Sequence, residues 1–448
     1  MAREGSLEAP VRHPIGWQDR DFHDRDKLDA ELRRVFDICH GCRRCFNLCD
    51  SFPRLFDLID ESDTGELDSV DSAGFKRVAD ACTLCDMCFM TKCPYVPPHE
   101  FDVDFPHLML RYRAVEAREG KVSWAVRQLT ETDRNGRLAS GAAAQPVNWA
   151  SRRGNRLTRP VLDRVAGVHR DAALPKFHGK TFVRRARDEA PEVNHAAPAA
   201  GRKAIVFATC FVNYNNPSTG VLARRVLARN GVETEVVHPR CCGMPQLERG
   251  DIARVASHAR GTAAELRPWI ERGYDVVALV PSCALMLKFE WPLVLPDDAD
   301  VGALSAATRD ISEYIVDIAR NEGLADGLGR LERSVTLHIA CHARAQNMGR
   351  KAAEMLELIP DADVTVIERC SGHGGSWGVM KDNFEVALKV GRPVAREAWE
   401  HRDGFIASEC PLAAEHILQG MERLAEGEKV TARGYSPIEL LAMAYGLV

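Results

Sequence analysis

Two cysteine ladders near the start of the chain constrain its folding more than any other feature. The first reads Cys39-His-Gly-Cys42-Arg-Arg-Cys45-Phe-Asn-Leu-Cys49, and the second Cys82-Thr-Leu-Cys85-Asp-Met-Cys88-Phe-Met-Thr-Lys-Cys93-Pro94. Two-residue gaps separate the first three cysteines of each, and a fourth follows after three or four more residues. A structural zinc ion takes four ligands in two pairs and has no use for a third such step. Disulfide frameworks of this density belong to short secreted chains. This chain has 448 residues and opens Met1-Ala-Arg-Glu-Gly-Ser-Leu-Glu, without the apolar core of a signal peptide.

The ladders have the ligand spacing of a two-cluster ferredoxin, in which the fourth cysteine of each run commonly crosses to the other cluster. Cys39, Cys42, Cys45 and Cys93 are then expected to hold one [4Fe–4S] cluster, and Cys82, Cys85, Cys88 and Cys49 the second. Pro94 stands where ferredoxins have proline; Asp50 departs from that pattern. The 32 residues between Cys49 and Cys82 carry Leu55, Leu58 and Ile59, then a polar loop, then Phe75, Val78 and Ala79 at helical spacing. The spacing predicts helical spacers, as in α-helical ferredoxins, rather than hairpins. Residues 1–30 read as an irregular arm and 31–106 as the ferredoxin-like module.

The length suits about three domains, and no run approaches the ~18 apolar residues of a membrane helix. The expected location is cytoplasmic, where a reducing milieu keeps the 15 cysteines available as ligands. Net charge is −5, but residues 107–200 hold 18 Lys or Arg against 9 Asp or Glu. The spacing predicts a helix over Phe105–Arg127 and a basic helical linker over 107–201. In that linker Trp149, Leu157, Val161, Leu162, Val165 and Val168 share one helical face among Arg152, Arg153, Arg156, Arg159 and Arg164. Such a helix suits an anionic membrane surface or an acidic protein partner, and a solvated linker is the plainer alternative. No recognition motif accompanies the charge, so nucleic acid is not an expected partner.

From Lys203 the pattern alternates strand and helix, which argues for parallel sheets covered by helices. It does so twice, over 202–325 and 330–448. Seven cysteines fall at corresponding strand ends: Cys210, Cys241, Cys242 and Cys283 in one half, Cys341, Cys370 and Cys410 in the other. The first intervals are 31 and 29 residues, the second 41 and 40. Loops at the carboxyl ends of parallel strands converge on a crevice, so these are site residues rather than buried small hydrophobes.

This arrangement resembles the cysteine-rich CCG domains found in the B subunits of heterodisulfide reductases and in their relatives. The ladder module, linker and two CCG domains most resemble the C subunits of anaerobic glycerol-3-phosphate dehydrogenases. Cys210-Phe-Val-Asn-Tyr-Asn-Asn-Pro, Cys241-Cys-Gly-Met-Pro and Gly378-Val-Met-Lys-Asp-Asn-Phe carry the likeness. It implies an α+β multidomain chain: an α-helical ferredoxin-like module followed by two duplicated α/β domains. It also implies an electron-transfer subunit of an oxidoreductase rather than a stand-alone enzyme. Electrons would pass from a flavoprotein dehydrogenase partner towards quinone, with the chain peripheral on the inner face of the cell membrane. The alternatives are a reductase of a disulfide or other small acceptor at a non-cubane cluster, or a redox partner of rubrerythrin. A full CCG site supplies five cysteines to such a cluster. Half one has four, with Met286 at the fifth place, and is the candidate for a further, non-cubane [4Fe–4S] cluster. Half two has Ser371 and Ala413 in place of two cysteines, leaving Cys341, Cys370 and Cys410, which His342 or His373 would complete as a mixed zinc or iron site. Gly372, Gly374 and Gly375 form a tight turn that would admit a ligand closely.

Overall fold

The protein is described by a computed structural model covering residues 9–425 and 429–448; the first eight residues of the expected arm lie outside the described residues. Helix α1 (Arg25–Cys42) starts within the expected arm, because Asp24 caps it by accepting the Lys27 N–H at 3.0 Å. It buries Leu28, Leu32, Val35 and Phe36. Helices α2 (Ser51–Asp60), α3 (Phe75–Ala81) and α4 (Phe105–Arg118) complete a helical module. Phe36 meets Phe75 edge-on at 5.1 Å, and Phe52 lies 4.7 Å from Phe105. The spacers between the ladders are thus helical, and no strand occurs among the described residues before Lys203.

The basic segment differs from the expected amphipathic rod. Helix α4 stops at Arg118, not Arg127, because Gly120 turns the chain with φ +76° and Ser123 caps a new helix, α5 (Trp124–Leu129). Four short helices follow: α6 (Thr132–Ala139), α7 (Ala144–Ser151), α8 (Arg159–Ala166) and α9 (Phe182–Asp188). Trp149 lies on α7 while Val161, Leu162 and Val165 lie on α8; a loop turning at Gly154 (φ +78°) separates them. Arg159 is not on a solvated face. It is 2% exposed, and its guanidinium donates to the carbonyls of His169 (2.6 Å), Arg170 (2.8 Å) and Ala172 (2.8 Å). Ala197 and Ala199, in the expected linker, are buried.

Two four-stranded parallel sheets follow. The first comprises β1 (Lys203–Phe207), α10 (Cys210–Tyr214), α11 (Pro217–Arg229), β2 (Glu233–Val237), α12 (Met244–Glu248), α13 (Ile252–Ile270), β3 (Asp275–Ala278), α14 (Pro281–Leu285), α15 (Trp291–Val294), α16 (Ala299–Ala307), β4 (Thr308–Asp310) and α17 (Ile311–Asn321). The second comprises β5 (Val335–His338), α18 (Cys341–Arg344), α19 (Lys351–Glu357), β6 (Val364–Ile367), α20 (Phe384–Glu400), β7 (Phe405–Ser408), α21 (Pro411–Leu424), β8 (Gly434–Tyr435) and α22 (Pro437–Ala444). Their orders, β2-β1-β3-β4 and β6-β5-β7-β8, are the same topology. Val206 pairs with Val236 and Val277, and Leu337 with Val366 and Ala407. The fourth strands have three and two residues, too short for a periodic signal.

The modules are packed together. Val11 donates its N–H to Pro97 O (3.0 Å), Ile15 to Leu293 O (3.0 Å), and the Trp17 indole to Val294 O (2.9 Å). Of the expected irregular arm, residues 9–19 lack regular structure, Arg20–His23 form a 3-10 helix and α1 begins at Arg25; the segment straps the helical module to the first sheet domain. Helix α22 packs on α11 of the first half as well as on α19.

Candidate metal centres

The first ladder leaves α1 through Arg43, whose left-handed conformation (φ +51°) ends the helix. The Arg43 guanidinium and the His40 ring hold the Asp60 carboxylate, His40 Nε2 at 2.9 Å, and push its pKa down to about 2. This contact folds the ladder back on α2. The fold then lines one recess with Cys39, Cys42, Cys45 and Cys93, beside Phe52, Phe56 and Tyr95. The Cys39 thiol is pushed well up by burial and then by Cys93, Cys45 and Cys42. Burial and the neighbouring Cys93 and Cys42 raise Cys45 to about 12.

Cys49 of the first ladder joins Cys82, Cys85 and Cys88 of the second. The Cys49 and Cys88 thiols are both raised by burial first; Cys85 and Cys82 then raise each of them, and Cys49 adds to Cys88. Backbone N–H groups point at these sulfurs: Ser51 and Phe52 at Cys49, Leu84 at Cys82, Met87 at Cys85, Tyr95 and Val96 at Cys93. Buried thiols in mutually repelling groups, with N–H donors aimed at sulfur, are a donor set that fits a cationic iron–sulfur core. Among the described residues no three His, Cys, Asp or Glu groups converge closely enough to hold a single metal ion. Thiolates on a cluster stand farther apart than thiolates on one ion, because irons and sulfides lie between them.

The seven remaining cysteines sit where their strands end. Cys210 opens α10 after β1, Cys241 and Cys242 follow β2, and Cys283 lies in α14 after β3. Cys210 Sγ is 4.0 Å from Cys241 Sγ, and Thr132 Oγ1 of α6 is 3.4 Å from both. The Gly243 N–H donates to Cys241 Sγ at 3.5 Å, as the Gly372 N–H does to Cys370 Sγ at 3.4 Å. This repeated contact makes Cys370 the counterpart of Cys241 and places Ser371 at the position of Cys242. Hydrogen bonds from Cys210 and Cys242 hold Cys241 well down as the thiolate of the group. Met286 is fully buried, and Ser371 and Ala413 are buried too.

The two halves face each other and the second ladder. His342 Nδ1 is 2.8 Å from Ser282 Oγ beside Cys283, and its Nε2 is 3.3 Å from Leu84 O. Both ring nitrogens are therefore engaged. His373 Nε2 is buried without a partner among the described residues; burial, then His416 and His342, push its pKa to about 3. After burial, Cys85 is the next cause raising Cys341, followed by Cys370 and Cys410. What the glycine turn admits closely is protein. A Cβ on Gly374 would lie 2.6 Å from the Thr83 methyl, and one on Gly375 2.7 Å from the Glu248 carboxylate. Thr132 belongs to the Cys210–Cys241 group without any sequence signal, since α6 lies outside the domain that carries those cysteines; Leu84 and Ser282 stand inside cysteine motifs, but their contacts with His342 are set by packing.

Residues 204–288 and 335–413 match the cysteine-rich domain designated CCG. The chain is 27% identical over 259 residues to the C subunit of anaerobic glycerol-3-phosphate dehydrogenase from Escherichia coli (strain K12), covering 56% of this chain and 63% of that protein. It is 26% identical to the B subunit of fumarate reductase (CoM/CoB) from Methanothermobacter marburgensis, over 53% of this chain and 46% of that protein. To the D subunit of dihydromethanophenazine:CoB–CoM heterodisulfide reductase from Methanosarcina acetivorans it is 23% identical, over 67% and 73%. The alignments thus span about half to three quarters of these relatives. Both matches fall on the two parallel sheets, so the chain carries two copies of this cysteine-rich domain.

Proposed function

We propose that the chain is an iron–sulfur electron-transfer subunit of a larger oxidoreductase. The observation that carries this reading is the recess where Cys93 of the second ladder joins Cys39, Cys42 and Cys45 of the first. These four would ligate one [4Fe–4S] cluster, and Cys82, Cys85, Cys88 and Cys49 a second. Cys210, Cys241, Cys242 and Cys283 would hold a third, non-cubane one; Cys341, Cys370 and Cys410, which do not converge on a single ion among the described residues, would be a weaker metal site. Bound clusters supply reversible one-electron chemistry; the chain's residues bury them, exclude water and direct N–H groups at sulfur, which sets potential. The order of neighbours favours a relay. Cys45 lies within electrostatic reach of Cys88, Cys85 of Cys370, and Cys283 of Cys410. Electrons would cross the ladders, pass the second CCG domain and end at the first, between a flavoprotein dehydrogenase donor and quinone; the name of the Escherichia coli relative supports the dehydrogenase part of this reading.

Peripheral membrane attachment accords with the surface. No helix among the described residues is long and apolar enough to cross a membrane. Trp124, Trp149, Leu157, Val161 and Val165 are exposed, Leu157 at 74%, among Arg152, Arg153, Arg156 and Arg164. Chain purified anaerobically should contain iron and acid-labile sulfide, and Cys93→Ser should lose one cubane EPR signal while keeping the other. Iron without sulfide would refute the reading. Flotation with anionic vesicles should fall for Trp124→Ser/Leu157→Ser/Val165→Ser; unchanged flotation removes the membrane claim alone.

A further inference from the structure

A cavity of about 770 Å³ lies on the side of the helical module where α4, α5 and α6 meet the start of α13. That volume is in the range of small-molecule sites. Five arginines line it: Arg118, Arg127, Arg134, Arg249 and Arg254, against two carboxylates, Glu131 and Asp251. Both carboxylates are already committed. Arg249, whose side chain is 8% exposed, binds Glu131 at 3.2 Å and Asp251 at 2.8 Å; Arg254 takes both Glu131 oxygens at 2.6 Å. Among the described residues Arg118 and Arg127 have no carboxylate partner, and Arg134 is held only by the neutral amides of Gln128 (2.8 Å) and Asn135 (3.0 Å). A cluster that needed only internal pairing would not gather three further cations around an open space.

The rest of the wall completes the picture. Asp251 precedes α13 without capping it by a side-chain hydrogen bond, and Ile252 to Arg254 line the cavity. His23 presents a buried Nδ1 with no partner among the described residues. Trp17, Ala114, Ala117, Val122 and Ile252 form an apolar side. Convergent guanidinium forks recognise phosphate oxygens bidentately, and an apolar wall selects an organic group beside them. We infer that this cavity, formed where the N-terminal module meets the first CCG domain, binds an organic phosphate: a phosphomonoester carrying an apolar portion, free or as a lipid headgroup. The site is separate from every cysteine group, yet Thr132, which touches Cys210 and Cys241, follows directly on Glu131.

The test uses the full chain with its clusters and 1-naphthyl phosphate as probe, in equilibrium dialysis. Saturable binding below about 1 mM is expected, with 1-naphthol not binding. Arg127→Gln/Arg134→Gln should weaken it at least about tenfold, the effect of losing charge-assisted hydrogen bonds. Ala253→Trp, at an exposed wall position, should block it sterically with the arginines intact. Iron content and thermal midpoint of both variants should match the parent. Displacement of the probe by phosphatidic-acid vesicles identifies a lipid headgroup as the source, and displacement by soluble phosphomonoesters alone a free ligand. Absence of saturable binding, or equal binding by both variants, overturns the inference.

Discussion

Arg12 shows how one residue of an apparently featureless segment organises three modules. Its guanidinium lies 2.8 Å from Asp86 in the second ladder, 2.8 Å from Asp104 before α4, and 3.3 Å from Glu290 in the first CCG domain, and its Cζ sits 4.5 Å from the Phe89 ring centre. Burial costs each of these charges, and their mutual attraction has to offset it. Burial and Arg12 push the pKa of His107 down, but Asp104 and Glu290 outweigh them and the net shift is up. Removing Arg12 leaves the buried Asp86 without its cation and Asp104 and Glu290 with His107 alone. Arg12→Met is therefore expected to cost about 3–5 kcal/mol, read as a fall in the urea midpoint, whereas Arg25→Met at an exposed pair should change stability by less than about 1 kcal/mol. Glu248 gives a pH-dependent counterpart. Burial holds its pKa up at about 7 against an ordinary 4.5, Arg113 lowering it only in part. A raised carboxyl contributes stability that is whole below its unfolded value and is lost as pH rises through its folded one. Between about pH 5 and pH 8 the protein should lose about 3 kcal/mol from this group, and Glu248→Gln should abolish that slope in urea titrations at the two pH values.

At the scale of elements, the glycine turn after β6 and the loop between Cys82 and Cys85 depend on each other. Gly374 has φ +54°, and its missing Cβ leaves room for the Thr83 methyl. Gly374→Ala should destabilise by about 1–3 kcal/mol. Adding Thr83→Ser should recover the larger part of the steric share, leaving the closer approach to Trp377 Cε3 at 3.1 Å and the left-handed backbone cost of about 1 kcal/mol, measured as a double-mutant cycle. The strand and helix alternation after Lys203 was legible because burial imposes periodicities of 2 and 3.6 on local sequence. The basic segment was misleading for the same reason. Apolar residues can fall on one face of an imagined helix while Gly120 and Gly154 break the real one. Arg159 looked like one more solvated charge until three carbonyls from residues 169–172 were seen to enclose it.

At the scale of the molecule, the second half does not close upon itself. Helix α22 buries Ile438, Leu440 and Leu441, while the Tyr445 hydroxyl beyond it reaches Asn230 Oδ1 at 3.2 Å and Ala325 O at 3.1 Å in the first half. Leu441→Ala should cost about 2–5 kcal/mol. Hydrogen exchange should then accelerate in β1 and β3 as well as in β5 and β7; acceleration confined to the second sheet would show that the halves unfold independently. What the sequence by itself determined was local: the ladder spacings, the seven cysteines at strand ends, and the duplicated αβ order, all set by ligand reach or burial period within a few tens of residues. The ladder spacing already grouped Cys93 with Cys39, whereas only the tertiary structure decided that Arg12 joins Asp86 to Glu290, that Thr132 bridges Cys210 and Cys241, and that the arginines gather around one cavity. Those contacts depend on Coulomb and hydrogen-bond distances between residues 50 or more positions apart, and such distances are fixed by the packing of whole modules, to which no local pattern in the chain responds.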